Sequence, residues 1–479
     1  MKQSSLAKQS GDIAKESLSA HRWLGLLVSA FMYLICLTGT LLVFDQEFER
    51  WEQPSVDERL NVTPELAARA YHNFIQRYDA ETGHHHLVFP GIGIPRLVVE
   101  DDHVAHFVES DGSLGEIESA PWTKMLIDLH YYLHLPKTFG MIVVSTLGAI
   151  LCALIVSGLL AHPRIVKDAF RFRRGGTGMQ ENIDLHNRLS VWATPFHLVI
   201  GITGAYFGLA SIFIVVIATA FEDGDTEAAV AKIFEPEPQL EQVIQIANVK
   251  KALEDIKLRD PHGKLLFLTV HEPNTPKQFI ELYVQQPQRL IYSENYRYDS
   301  KGNFIQKGGY SDGETGKQFV YSIYRAHFGD FAGLTSKLLY FVLGMMLTIV
   351  SATGINIWLH KRKTKDIVNL LWPAFVWLTP SALVLSAILQ ISRDAWVYQS
   401  FWGALALGLI ICCKNYQDED KLRKHLKFLL CLCLVVLVCI HTIQHFDSVG
   451  ALAMWQVNLV LILCAGVVGF SGLRRVLKP

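Results

Sequence analysis

Eight stretches of this chain are apolar for long enough to cross a bilayer, and two long polar stretches interrupt them. The apolar runs lie at roughly 22–44, 139–161, 189–220, 335–359, 370–391, 396–413, 427–445 and 451–473, each near the about 20 residues that a spanning helix needs. The polar stretches, 45–138 and 221–334, share one coarse pattern. In the first, Thr63-Pro64-Glu65 reads as a helix start with proline in the first turn, and the helix runs to about Tyr78. Strand-like segments follow at 85–89, 95–100 and 104–109, the last two joined by a turn at Asp101-Asp102. The second offers a helix near 239–255 and strands near 264–271, 278–285 and 290–298. Pro273, Pro276 and the Ser300-Lys301-Gly302-Asn303 turn break them. One helix on a small antiparallel sheet, used twice, is the expected architecture.

Composition adds little to this pattern, but charge placement orients it. Half of the 479 residues are hydrophobic, 19% are charged and the net charge is -1, so no bulk attraction to nucleic acid is implied. The basic residues Arg164, Lys167, Arg171, Arg173, Arg174 and Arg188 follow the second span. Residues 360–365 and 414–427, the tail residues Arg474, Arg475 and Lys478, and Lys2, Lys8 and Lys15 are basic on the same side. Positive charge collects on the cytoplasmic side, which puts both termini in the cytoplasm and the two long polar segments outside. All eight cysteines sit in or beside spans, so no disulfide framework is available to the outer segments.

The chemistry worth following is a repeat of histidine and glycine. His21 precedes Gly39 by 18 residues and His186 precedes Gly204 by 18; His130 precedes Gly158 by 28 and His327 precedes Gly354 by 27. Each glycine follows a small hydroxyl residue: Thr38, Ser157, Thr203 and Thr353. The chain therefore reads as a duplicated pair of membrane hairpins with a histidine at the start of every helix. Topology sorts His21 with His186 toward the inner face and His130 with His327 toward the outer one. Ionisable residues at such positions face the bundle and have a partner, and two opposed imidazoles are what bis-histidine ligation of haem b requires. The 18 residues from His21 to Gly39 rise about 27 Å, so two haems, one near each face, would make a path for electrons. The small-Gly pairs would let a helix or a flat macrocycle approach closely.

Other histidines remain open. His134 stands one turn after His130 and could replace it as ligand. His197 follows His186 by 11 residues, almost in phase, with Pro195 before it and no histidine partner expected at its depth; ligand, proton site and packing residue are all open to it. His441 and His445 share a face of the seventh span, where a structural role is favoured over a quinol site. His84-His85-His86 could bind a metal but has no acidic or cysteine partner nearby, and a surface strand is the simpler account. Alternation along strands accounts for most of Tyr292, Tyr296, Tyr298 and Tyr310.

The stretches His21-Arg22-Trp23-Leu24-Gly25 through Thr38-Gly39, Asp128-Leu129-His130, Asp184-Leu185-His186 through Thr203-Gly204, and Arg325-Ala326-His327 with Gly354 and Trp358-Leu359 resemble PepSY-associated transmembrane proteins. The resemblance covers about residues 17–365 and implies PepSY-like outer domains and a bacterial inner-membrane location. It also implies haem-dependent reduction of ferric siderophores on the periplasmic side, with the four helix-start histidines as the matching positions. Some relatives carry a fused flavin and NADPH module; here Gly91-x-Gly93 lies in an outer segment before Pro95, so it is no phosphate cradle. The electron donor is then separate, a cytoplasmic reductase or membrane quinol.

The expectation is an all-α polytopic membrane protein with a duplicated four-helix haem-binding core and two small α+β PepSY-like periplasmic domains. Its segments are 1–44 (tail and first span), 45–138 (first outer domain), 139–220 (second and third spans with a basic connection), 221–334 (second outer domain), 335–365 (fourth span) and 366–479 (four further helices of unassigned role). The expected activity is transfer of electrons across the membrane to a ferric siderophore or other ferric chelate, releasing Fe²⁺. The competing reading is a non-enzymatic envelope-binding protein on a structural membrane anchor. A permease is disfavoured by the scarcity of charged residues within the spans.

Overall fold

In the computed structural model of the chain, residues 2–473 are described except 79–80, 92, 163, 171–177 and 394–395. Arg171, Arg173, Arg174, Arg474, Arg475 and Lys478, used above to orient the chain, lie outside the described residues, as do the side chains of Lys2 and Lys8. The helices in chain order are α1 (Lys2–Leu41), α2 (Asp45–Glu52), α3 (Pro64–Arg77), α4 (Pro121–Tyr132), α5 (Lys137–Ala161), α6 (Ile165–Ala169), α7 (Gly178–Trp192) and α8 (Thr194–Phe221). They continue as α9 (Thr226–Ala231), α10 (Val249–Arg259), α11 (Thr315–Phe328), α12 (Gly333–Lys361), α13 (Val368–Arg393), α14 (Val397–Asn415), α15 (Glu419–Gln444) and α16 (Leu452–Leu473). Among the described residues eight helices are long and apolar enough to cross a membrane, at the eight places the hydrophobic pattern marks. The chain is a multi-pass membrane protein.

It divides into two compact units. The membrane unit holds residues 1–54, 120–209 and 335–479. Its boundaries correct the expected first outer domain, 45–138, because α2 and α4 both pack in the membrane unit. The reason is a long-range cap. The Glu52 carboxylate accepts from the main-chain N–H groups of Trp122 (2.9 Å) and Thr123 (2.8 Å) and from the Thr123 hydroxyl (2.6 Å). A carboxylate there satisfies free N–H groups of the first turn of α4 and its dipole. At its far end α4 stops on two non-glycine residues in the left-handed region, Leu133 (φ 56°) and His134 (φ 55°). Such a conformation persists only where surrounding contacts hold it.

The other unit holds residues 55–119 and 210–334 and contains one sheet, not two. Its strands are β1 (His84–Val88), β2 (Val98–Asp101), β3 (Ala105–Val108), β4 (Leu114–Ile117), β5 (Lys264–His271), β6 (Phe279–Gln285), β7 (Glu294–Tyr298) and β8 (Phe304–Lys307). The order β4-β3-β2-β1-β5-β6-β7-β8 is antiparallel throughout. Each half is a helix followed by a four-strand meander, α3 with β1–β4 and α10 with β5–β8. The halves meet where His84–Val88 pairs with Phe267–His271. The expected pair of domains is therefore a single domain: β1 and β5 would otherwise each expose an unpaired edge. A common core forms as well, joining Phe74, Tyr71 and Ala70 of α3 to Leu253 and Ile256 of α10 over Leu87, Val99, Leu268 and Ile280.

Local signals were accurate where a cap defined them. Thr63 Oγ1 accepts from Leu66 N at 3.2 Å, fixing the start of α3. The helix expected at 239–255 begins only at Val249, capped by Asn248. The strands missing from the sequence reading, β4 and β8, are the short outermost strands of the two halves. Tyr296, Tyr298 and Tyr310 are core residues.

Phe74 is fully buried, so Phe74→Ala should destabilise this unit by about 3–5 kcal/mol. Because the core is shared, limited proteolysis should then cut both halves together; selective opening of 55–119 with 245–310 still protected would contradict a common core. Two carboxyls set the pH response of the same unit. Burial lifts Glu100 to about 7, with Glu118 and Asp101 adding repulsion. A raised folded pKa makes stability fall as pH climbs from the ordinary value of 4.5 through about 7. Burial would also lift Glu281, but His271, Arg297 and Tyr283 outweigh it and hold that carboxyl at about 2. Its contribution is present above 4.5 and lost as pH falls toward 2. Glu100→Gln should therefore raise the thermal midpoint at pH 8 and leave it unchanged at pH 4.5; equal effects at both pH values would refute the assignment.

Candidate functional site

None of the four repeat histidines starts a helix, contrary to expectation: His21 and His186 lie within α1 and α7, and His130 and His327 near the ends of α4 and α11. Three of them rest on glycines of other helices, in one repeated geometry. His21 of α1 directs Nδ1 at the carbonyl of Leu154 (2.9 Å) and the hydroxyl of Ser157 (3.3 Å), beside Gly158. His130 of α4 directs Nδ1 at the carbonyl of Ile35 (3.1 Å) and the hydroxyl of Thr38 (3.1 Å), beside Gly39. His186 of α7 directs Nδ1 at the carbonyl of Val350 (3.1 Å) and the hydroxyl of Thr353 (3.3 Å), beside Gly354. Counted from the glycine, the carbonyl is always four residues back and the hydroxyl one residue back. The pairing also crosses the sequence repeat: each histidine sits on a glycine other than the one that defines its spacing.

A carbonyl can only accept, so Nδ1 must carry the proton and Nε2 is left with its lone pair. This is the tautomer of a metal-ligating imidazole whose far nitrogen is held by a main-chain carbonyl. The hydroxyls are themselves oriented. Thr38 donates to the Leu34 carbonyl (2.8 Å), Thr353 to Ile349 (2.8 Å) and Ser157 to Leu154 (3.2 Å), which turns an oxygen lone pair toward the imidazole. The ring lies where a side chain would begin, and the fit is tightest at Gly39. A methyl at position 39 would stand 2.5 Å from Cε1 of His130; the distance is 3.2 Å at position 158 and 3.4 Å at position 354. The fourth pair, Thr203-Gly204, carries the same internal bonds, Thr203 to Val199 (2.6 Å) and Ile200 (3.4 Å). Sequence reading noted the hydroxyls only as small residues. Their invariant place before the four glycines was the available signal.

The rings of His21 and His186 stand 6.2 Å apart, nearly perpendicular at 82°. Two imidazoles on opposite sides of one metal, with metal–nitrogen bonds of about 2 Å, hold their ring centres roughly 6 Å apart. These two positions, expected as a pair, are neighbours in the structure. Among the described residues no three or more His, Cys, Asp or Glu side chains converge as a metal cage, but a haem iron needs only two from the protein. His327 belongs to the other unit, near the end of α11, which Gly329 closes at φ 71°.

The remaining histidines separate cleanly. Both nitrogens of His134 are used: Nε2 faces the Met125 carbonyl at 2.8 Å and Nδ1 accepts from Trp402 Nε1 at 2.9 Å. Ligation there would break two hydrogen bonds, which favours His130. His441 is stacked on Trp51 at 4.2 Å, with Nε2 on the Trp51 carbonyl (2.8 Å) and Nδ1 near Asn458 (3.4 Å), a structural role. His85 is buried against Tyr71, whereas His84 and His86 stack 5.8 Å apart with His271 close by.

His197 differs from its expectation. The helix expected to run through 189–220 breaks at Ala193, between α7 and α8, so the phase relation to His186 does not carry across. Its ring is hydrogen-bonded to the Leu343 carbonyl, and its buried Nε2 has no partner. Leu343 adjoins Gly344, which packs on Thr40 next to Gly39.

Eight spans, with three histidines seated on glycines of other helices, define a polytopic membrane protein. The chain matches the PepSY-associated TM region over residues 18–361 and belongs to that family. It is also similar to an uncharacterized protein of Pseudomonas aeruginosa, 29% identical over 118 residues; the match covers 25% of this chain and 30% of that relative.

Replacing a helical glycine by alanine ordinarily stabilises by about 0.5–1 kcal/mol. Gly39→Ala should instead lower the thermal midpoint, because His130 must leave its seat, while Gly354→Ala should be neutral or mildly stabilising. A Gly39→Ala protein as stable as Gly354→Ala would show that the seat is not tight.

Proposed function

We propose that the protein is a haem-b oxidoreductase of a bacterial inner membrane that passes electrons across the bilayer to a ferric siderophore or another periplasmic ferric chelate. The observation that carries this reading is the repeated seat: three half-buried imidazoles held in the Nδ1–H form by carbonyls, two of them with ring centres 6.2 Å apart. His21 and His186 would hold one haem. His130 would hold a second, and His197, whose buried Nε2 has no hydrogen-bond partner, is the candidate for its other axial position. When bound, haem would supply a one-electron iron couple whose potential follows its axial ligands.

The chain's own residues have narrower tasks. The Leu154, Val350 and Ile35 carbonyls fix ring plane and tautomer, and they raise the donor strength of Nε2. The glycines let each ring approach a neighbouring helix, and the apolar spans exclude water from the path. Reduction would release the metal because Fe²⁺ is held more weakly than Fe³⁺ by hard oxygen chelators. Both termini would lie in the cytoplasm, the sheet unit would face the periplasm, and the donor would be a separate cytoplasmic reductase or membrane quinol.

Full-length protein purified from haem-replete cells should show a Soret band and sharp α-bands on reduction. A folded but colourless preparation would refute the reading and favour a non-enzymatic envelope protein. His21→Ala or His186→Ala should remove the same half of the pigment, and His130→Ala the other half. His197→Ala should then remove the same half as His130→Ala. If each single replacement leaves both haems in place, the seats are not ligand positions.

A further inference from the structure

Away from the histidine seats, the sheet unit carries a cavity of about 480 Å³ at the end of β5 and β6 and the segment that leads to β7. Its wall contains Lys264, Arg289, Arg325 and His262, together with Gln285 and Gln286, and no aspartate or glutamate. That is unusual in a chain whose net charge is only -1. A concave site lined by one sign of charge focuses the field and concentrates counter-ions, and the volume lies within the range of small-molecule pockets.

The four basic groups are not equivalent. Arg325 is almost fully buried and already committed: it donates to Asp330 Oδ1 (3.2 Å), to the Asp330 carbonyl (3.3 Å) and to the Arg289 carbonyl (3.0 Å). It shapes the floor and fixes the backbone that presents Arg289. Lys264 and Arg289 are exposed at the mouth, and neither has a carboxylate partner among the described residues. Burial, and then the neighbouring Arg325, hold the Lys264 ammonium below its ordinary pKa, with Asp330 opposing. Like charges crowded at one mouth are relieved by an anion.

We propose that this cavity is a binding site for a small polyanion, of the polycarboxylate class, gripped by Lys264 and Arg289 over the floor made by Arg325. The Gln286 amide is committed to Asp260 and Gln285 lies against the Arg325 guanidinium, so Lys264 and Arg289 carry the grip. Two sources share this chemistry, a free organic acid and its ferric chelate. The site itself stands on the cavity; only its service as the docking place of the acceptor rests on the proposed oxidoreductase.

The test is calorimetric titration of the full-length protein in detergent with citrate, with ferric citrate and with an uncharged ferric trihydroxamate complex. Citrate, ferric citrate or both should bind saturably and more weakly at high salt, and the neutral complex should not compete. Lys264→Ala combined with Arg289→Ala should weaken binding about tenfold or more, while the charge-keeping pair Lys264→Arg and Arg289→Lys should retain it. Binding of ferric citrate alone identifies the chelate as the ligand, and binding of citrate alone identifies the free acid. Binding unchanged in the double alanine variant, no saturable binding of either anion, or competition by the neutral complex would overturn the proposal. None of these readings uses electron transfer, so a failure here beside an intact haem spectrum leaves the proposed function standing, and the converse also holds.

Discussion

An imidazole that gives its Nδ1 proton to a main-chain carbonyl has one nitrogen left and one tautomer to present it in. His21, His130 and His186 all meet that constraint by lying over a glycine whose own helix supplies the carbonyl four residues back and a hydroxyl one residue back. Much of the membrane unit serves this contact. The four small-hydroxyl pairs hold their side chains on their own helices, the glycines remove the Cβ that would collide with a ring, and α4 and α7 exist as separate helices that carry histidines to their seats. A Ser/Thr-Gly pair in a membrane helix would ordinarily be read as close helix packing. Here three of the four are filled by a histidine from elsewhere.

The four helices beyond the family match act on the same arrangement from behind. Trp402 donates to His134, and Tyr398 donates to Asp128 at 2.6 Å; both grip the end of α4 next to His130. Trp122 at the start of α4 reaches the Leu383 carbonyl (3.0 Å), and Tyr33 of α1 reaches Val376 (2.7 Å). Trp51, His441 and Asn458 form a closed polar cluster at the end of α2. Each bond satisfies a polar group that would otherwise be buried alone. A segment with no motif of its own thus orients the helix that presents one of the histidines, and it explains how two strained residues, Leu133 and His134, are kept in place.

The sheet unit applies duplication differently. Two segments far apart in the chain, each too small to bury its own edge strand, complete one another at β1 and β5 and share one core under α3 and α10. On the opposite surface they leave polar side chains such as His84, His86 and His271 close together.

The sequence by itself determined the eight spans, the repeat of histidine and glycine, the caps that start α3 and most of the strands. Those are short-range consequences of hydrophobic run length, period-two alternation and turn chemistry. It also brought His21 and His186 together on paper, because a duplicated topology leaves few other arrangements. Tertiary structure decided which glycine each histidine occupies: the spacing joins His21 to Gly39, whereas packing joins His21 to Gly158 and gives Gly39 to His130. It decided between His130 and His134, since only the fold shows that Trp402 and Met125 consume both nitrogens of the latter. It broke a helix at Ala193, between His186 and His197, and it fused two expected domains through one strand pair. In each case the deciding partner lies far away in sequence, and nothing in a local pattern encodes which distant carbonyl, ring or edge will be there to meet it.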